Sequence, residues 1–205
     1  MPSPKEKEPS RRPARAKKAA PARTDTAAGA SGERFPPLST SLDTLLVDGS
    51  DGKFRNLIYK VLSTSTLMLR SRDRFAAHIG VSGPQYSMMV AIGEAGSATV
   101  GQIADELRVS SPFVTAEIGK LIERGIVERR PNQRDRRSSL LTLTEKGRDM
   151  IVDVGPLRRL TNDLVFGSLT SEEVQSLHAI MDKLVVDAEH ALHTINSPAL
   201  SERKK

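Results

Sequence analysis

From Phe54 onward, apolar residues recur at helical spacing, with one interruption in which two short apolar runs flank a polar loop. Phe54, Leu57, Ile58, Val61, Leu62, Met68, Phe75 and Ile79 trace a broad stripe and predict a long amphipathic helix ending around His78 to Val81, where Gly80 is the stop signal. Ser82 with Gln85 three residues on has the form of a capping box, in which hydroxyl and amide each satisfy a free backbone N–H. It opens a helix through Tyr86, Met88, Met89, Val90 and Ile92 that stops at Gly96. Thr99 with Gln102 opens a short helix bearing Ile103, Ala104 and Leu107, ending near Arg108. Ser110, Ser111 and Pro112 start another, since serine caps and proline is tolerated in the first turn. There Val114, Ile118, Leu121 and Ile122 face inward and Gly125 ends the helix.

The interruption comes next. Ile126 to Arg130 and Leu140 to Leu143 are short extended runs joined by Pro131 to Ser139, with arginines at 134, 136 and 137, and together they predict a β-hairpin. Thr144 then caps a helix with Met150, Ile151 and Val154. Gly155 and Pro156 are expected to kink or break it, with resumption at Leu157, because proline removes an i to i−4 bond. Thr170 with Glu173 opens a last helix with Val174, Leu177, Met181, Leu184, Val185, Ala188, Leu192 and Ile195 on one stripe. The fold class expected is mainly α with a small β-hairpin wing: a winged helix-turn-helix lobe between long helices at each end.

Composition refines the organisation. The 205 residues, 38% hydrophobic and 3% aromatic, suffice for one helical domain cored by Leu, Ile, Val and Met, plus a tail. The absence of cysteine excludes disulfides, zinc-finger ligand sets and a thiol switch. No apolar run is long enough for a membrane span and the N-terminus lacks a signal-peptide centre, so a cytoplasmic protein is expected. The net charge of +6 sits mostly in residues 1–34, which hold nine Lys/Arg against four Asp/Glu, whereas the rest holds 22 against 21. That Pro, Ala, Lys and Arg-rich segment is read as a disordered tail, a solubilising extension or a phosphate-binding arm. The expected divisions are the tail at 1–38, a strap and long dimerisation helix at 39–82, the winged lobe at 83–147, C-terminal dimerisation helices at 148–197 and a frayed end at 198–205. In the strap, the Leu45, Leu46, Val47 cluster suggests a short helical turn.

A short capped helix pair occurs in many helical proteins, and an arginine-rich turn is often only solvated. Their direct succession is more specific: a helix fits the DNA major groove, and a thin arginine loop suits the narrow, electronegative minor groove. The candidate major-groove residues are Ser111, Pro112, Phe113, Thr115, Ala116 and Lys120, with Thr115 hydrogen-bonding bases or phosphate, Lys120 meeting phosphate or guanine, and Phe113 or Ala116 touching a thymine methyl. Arg134, Asp135, Arg136 and Arg137 are the wing candidates. His190 and His193 are three apart with His178 earlier on the same helix, but no further spaced acid or histidine completes a metal set, so neither metal nor cofactor is expected. No phosphate loop, nucleophile elbow or acid and base pair suggests an enzyme.

The segment GQIADELRVSSPFVTAEIGKLIERGIVERRPNQRDRRSSLLTLTEKG is similar to the winged helix-turn-helix core of the MarR family of bacterial transcription regulators. The closest parts are GIVERR after the second helix and DRRSSLLTLTEKG, which fits the family's Asp-x-Arg wing signature followed by Leu-Thr and Gly; the likeness runs from about Phe54 to Ile195. Where many members carry an arginine early on the recognition helix, this chain has Ala116 with Glu117 beside it. The resemblance implies a symmetric homodimer in which first and last helices interlock, and a two-fold operator whose half-sites lie about one DNA turn, roughly 34 Å, apart. It implies that Asp135 holds an arginine while Arg137, or Arg136, reaches the minor groove. It also implies repression relieved by a phenolic, aromatic carboxylate or aromatic acyl-CoA ligand, with Arg70, Arg74, His78, Tyr86 and Met89 as the corresponding ligand residues. Two alternatives stand beside this reading: an effector-independent architectural DNA-binding protein, and a winged-helix module for protein interaction.

Overall fold

The computed structural model describes residues 35–133, 135 and 137–197; the tail at 1–34, Arg134, Arg136 and the end at 198–205 lie outside the described residues. Two compact units are distinguished, one up to Tyr59 and one from Lys60. In the first, a 3₁₀ turn at Asp43–Leu45 takes the place expected of a short helical turn. A tight Val47 to Ser50 bridge follows, leading into α1, Gly52–His78, which runs on into the second unit. Asp51, just before α1, has no exposed surface. Its Oδ2 accepts from the Ser39 hydroxyl at 2.6 Å and the Ser39 N–H at 2.7 Å, while Oδ1 pairs with the Arg55 guanidinium. The Ser39 hydroxyl, then its N–H, and more weakly Arg55, hold the Asp51 carboxyl down at about 2 against the opposing effect of desolvation.

The second unit contains α2 (Gly83–Ala95), α3 (Val100–Leu107), α4 (Ser111–Glu123), β1 (Val127–Pro131), β2 (Ser139–Leu143), α5 (Glu145–Phe166) and α6 (Ser171–Ile195). The boundaries follow the local signals. Ser82 with Gln85, Thr99 with Gln102 and Thr170 with Glu173 all form reciprocal capping boxes, and Ser110 and Thr144 cap α4 and α5. Helix α4 ends in a Schellman motif: the Ile126 N–H bonds the Leu121 carbonyl, the Gly125 N–H bonds that of Ile122, and Gly125 has φ +65°. Glycine is favoured there because a side chain at such a φ is strained.

The core of the lobe joins Met88, Met89 and Ile92 of α2, Ile103 and Ala104 of α3, and Val114, Ile118 and Leu121 of α4. Ile126, Val127, Leu141 and Leu143 of the hairpin region close it. Burying each large aliphatic side chain contributes about 1.5–3 kcal/mol, so α4 is seated on one face by Val114, Ile118 and Leu121 together. The strands pair antiparallel with Val127 opposite Leu143 and Pro131 opposite Ser139. Ala98 adds a two-way bridge to Leu141, its N–H donating at 3.1 Å and its carbonyl accepting at 2.8 Å, and so ties the α2–α3 connection to the hairpin. A smaller cluster of Phe75, Ala76, Tyr86 and Val154 joins α1, α2 and α5.

The expected break at Pro156 does not occur: α5 is one helix from Glu145 to Phe166 with Pro156 inside it. Two features make this tolerable. Gly155 has no Cβ to clash with the proline ring, and Val152, whose carbonyl loses its donor, is 73% exposed, on the water-facing side. Helix α6 buries none of its residues, so its apolar stripe, including Leu177, Met181, Leu184 and Val185, faces outward.

Candidate nucleic-acid interface and the adjoining cavity

The inward face of α4 fixes what its other face presents. Because Val114, Ile118 and Leu121 are fully buried, Ser111, Pro112, Phe113, Thr115, Ala116 and Lys120 are all left exposed. The Thr115 hydroxyl donates to the Ser111 carbonyl at 2.9 Å, so its proton is committed within the helix and the oxygen remains only as an acceptor. Lys120 differs from the expectation of a free phosphate contact: its Nζ pairs with Glu117 Oε1, and Glu117 Oε2 accepts from Gln85 Nε2 at 2.9 Å.

The wing beside α4 is braced at both ends. At its base the Thr144 hydroxyl donates to the Gly125 carbonyl at 2.8 Å, Lys146 to the Arg124 carbonyl at 2.8 Å, and Arg148 to the Leu143 carbonyl at 2.8 Å. Arg124 reaches back to the Gly80 carbonyl at 2.9 Å, tying the end of α4 to the α1–α2 turn. At the tip, Asp135 Oδ1 accepts the backbone N–H of Arg137 at 3.0 Å, and its carbonyl accepts the Ser138 N–H at 3.1 Å. The expectation that Asp135 holds an arginine therefore takes a backbone form here. Along β1, Arg130 is paired with Glu128, whose carboxyl is held below its usual range by Arg130 and then by the Thr142 hydroxyl. Arg129 and Arg137 are exposed, while Arg134 and Arg136 lie outside the described residues.

A cavity of about 550 Å³ opens between α1, α2, α3 and α5, lined by Arg72, Phe75, Tyr86, Val90, Glu94, Ala98, Gln102, Ile103, Glu106, Leu107, Arg158 and Asn162, among others. This volume is that of a small-molecule site. Of the five residues expected to meet a ligand, only Tyr86 lines it. Its ring packs on Phe75 at a centroid distance of 5.8 Å, and its buried hydroxyl has no hydrogen-bond partner. Met89 has no exposed surface and belongs to the lobe core instead. Arg70 and Arg74 are exposed on α1 away from the lining, and His78 is exposed with Nε2 3.2 Å from Asp153 Oδ2. The arginines at the cavity are Arg72 and Arg158. A periodicity argument places Arg72 only if the phase of α1 is known, and Phe75 one turn later was the usable signal, being one of the two buried residues of that helix. Arg72 also bonds Asp73 Oδ1 at 2.9 Å, and the pair lies against Gly83, where any Cβ would strike the Asp73 carboxylate first and then the Arg72 guanidinium.

This arrangement, a capped helix pair running into a basic hairpin with the second helix's outer face bare, defines a winged helix-turn-helix protein. Residues 79–138 match the MarR family. The chain is 29% identical over 105 residues to the HTH-type transcriptional regulator BilQ of Clostridium symbiosum, covering 51% of this chain and 73% of that one. Its fold is similar to that of the MarR protein from Peptoclostridium difficile, with a TM-score of 0.59 and 20% identity over 74% of this chain and 97% of the other. It is also similar in fold to the M. tuberculosis regulator MOSR in complex with DNA, with a TM-score of 0.53 and 21% identity over 65% and 96% of the two chains. The winged lobe, residues 79–138, is thus similar to the MarR family of transcriptional regulators. Among the described residues no helix is long and apolar enough to cross a membrane, and no cluster of His, Cys, Asp or Glu could hold a metal ion.

Proposed function

We propose that this protein is a homodimeric repressor that binds a pseudo-palindromic operator and is released from it by a small anionic, aromatic ligand. The observation that carries the DNA reading is the bare face of α4, with Ser111, Pro112, Phe113, Thr115 and Ala116 exposed beside the braced wing. Polar groups and small apolar groups alternate there as a major-groove surface requires, and Arg137 at the wing tip, with its neighbours Arg134 and Arg136, supplies positive charge for the minor groove. A second copy is the natural cover for the exposed Leu177, Met181, Leu184 and Val185 of α6, since isolated monomers rarely leave an apolar stripe of that size in water. Two-fold pairing then repeats α4 at the spacing of operator half-sites.

The cavity supports the effector half of the proposal. Arg72 and Arg158 suit a carboxylate, the Phe75 and Tyr86 rings suit a flat aromatic body, and the unpartnered Tyr86 hydroxyl suits a polar ring substituent. The cavity adjoins α3, the first helix of the DNA-reading pair, so a ligand there competes with one packing of the lobe on α1 and α5.

The test is a fluorescence-anisotropy titration of the full chain against DNA from upstream of its own gene and against random-sequence duplex, repeated with aromatic acids and their CoA thioesters. Tight binding to the upstream DNA, reversed by one compound class, is the expected result. Binding indifferent to sequence turns the reading to an architectural protein, and absence of DNA binding turns it to a protein-docking module.

A further inference from the structure

The acid on the recognition helix is accounted for by neither packing nor the DNA surface. Glu117 lies on the same helix as the exposed Phe113, Thr115 and Ala116, where a carboxylate repels an approaching phosphate, yet its side chain is only 12% exposed. Both its oxygens are engaged. Oε2 accepts from Gln85, itself a buried residue, and Oε1 pairs with Lys120 one turn on, whose side chain is 59% exposed. Gln85 is fixed in turn, because its Oε1 accepts the Ser82 N–H at 3.1 Å in the capping box of α2. The carboxylate is thus anchored from beneath by an amide that cannot swing away without uncapping a helix, and the lysine, 59% exposed, is the solvent-facing member of the trio.

We propose that Glu117 is an affinity-limiting residue of the DNA surface: held in place by Gln85, it sequesters Lys120 and so withholds one phosphate contact from the complex. This rests on the DNA-binding reading above. Phosphate contacts raise affinity for every sequence alike, whereas base contacts discriminate, so withholding one lowers binding to operator and random DNA about equally and leaves the groups that read bases untouched. The arrangement also explains how a helix with a glutamate beside Ala116 remains compatible with DNA: the charge of Glu117 is cancelled locally by the lysine it retains.

Glu117→Gln is the informative variant, because its amide oxygen still accepts from Gln85 while the charge that holds Lys120 is gone. In anisotropy titrations with a random-sequence duplex and with an equal-length duplex from upstream of the gene, this variant binds both about five- to tenfold more tightly near 0.1 M salt. The slope of log K against log salt steepens by about 0.9 for each lysine released onto a phosphate. Lys120→Gln in the wild-type background leaves Glu117 uncompensated and weakens binding to both duplexes about two- to threefold, and the same change in the Glu117→Gln background costs the full five- to tenfold gain. Wild-type binding with no change in affinity or slope for Glu117→Gln overturns the inference, as does equal loss from Lys120→Gln in both backgrounds. Failure of the wild-type chain to bind either duplex overturns the DNA reading itself, an outcome distinct from both.

Discussion

The Asp135 carboxylate accepts the backbone N–H of Arg137 at 3.0 Å, closing a short turn at the wing tip that Asn132 and Ser138 complete with a 2.8 Å side-chain bond. The acid thereby fixes the backbone at Arg137. Asp135→Ala should weaken operator binding about fivefold, in keeping with about 1 kcal/mol for one lost hydrogen bond, while Asp135→Asn, which keeps an acceptor oxygen, should lose less. Arg137→Ala should cost more, about 1 to 3 kcal/mol, if its guanidinium enters the groove. Gel-shift titrations of the three variants check the order, and an Asn variant as weak as the Ala variant would mean that the charge rather than the turn matters.

The wing and its supports were legible because their signals are local. A Thr or Ser with Gln or Glu three residues on predicts a capping box, and a glycine after a periodic run predicts a left-handed stop; both are confined to one turn of chain. What the sequence concealed depends on phase or on distance. Helix α2 is apolar on nearly all sides, so nothing local separates Tyr86, which lines the cavity, from Met89, which is sealed in the core. Successive residues on α1 point about 100° apart, so Arg70 and Arg74, each two residues from Arg72, point about 200° away from it, to nearly the opposite face of the helix. The Gln85–Glu117 bond spans 32 residues and the Ala98–Leu141 bridge involves one residue of extended chain, so neither leaves a periodic trace.

Gly147 is buried at the start of α5, and a Cβ there would collide with the carbonyl oxygen of Ile126. Its N–H also bonds the capping Thr144 hydroxyl at 3.1 Å, so α5 cannot shift outward without losing its cap. Gly147→Ala should therefore destabilise the lobe by about 1–3 kcal/mol despite the better helix propensity of alanine. Urea unfolding gives the sign, and a stabilised variant would mean that the α5 start has room to move.

Asp51 has a folded-state pKa of about 2, lowered from 3.8 chiefly by the Ser39 hydroxyl. The unfolded state binds the proton first as pH falls, so the stabilisation is complete above about pH 4 and is lost progressively down to about 2. The segment from Ser39 to Ser50 should then be released in acid. Hydrogen exchange or limited proteolysis by an acid-active protease should show this segment opening in that window, and Ser39→Ala should move the opening to higher pH. An opening that Ser39→Ala leaves at the same pH would assign the acid sensitivity elsewhere.

Tyr86 offers a way to separate ligand binding from stability. Since its hydroxyl has no partner, Tyr86→Phe removes an unsatisfied buried group and should leave the midpoint of thermal unfolding unchanged or raise it slightly. The same variant should need several-fold more aromatic effector to release DNA, because the cavity loses a polar contact. Loss of stability would show that the hydroxyl is already satisfied in solution, and an unchanged effector response would remove Tyr86 from the ligand site.

Pro156 stands inside α5, where proline ordinarily costs about 3 kcal/mol by removing a backbone bond and crowding the preceding turn. Part of that cost is already offset here, because Gly155 relieves the clash and Val152, whose carbonyl loses its donor, is 73% exposed. Restoring the bond with Pro156→Ala should therefore stabilise the chain, by about 1–2 kcal/mol rather than the full amount. The proline lies two residues before Arg158 at the cavity, so any change in the path of α5 on substitution also alters where that guanidinium sits. Measured together, a raised unfolding midpoint with a weakened effector response would mean that the proline trades stability for the position of Arg158. A raised midpoint with an unaltered response would assign it no role in the cavity. A lowered midpoint would show that the proline's fixed φ stabilises α5 by more than its missing backbone bond costs.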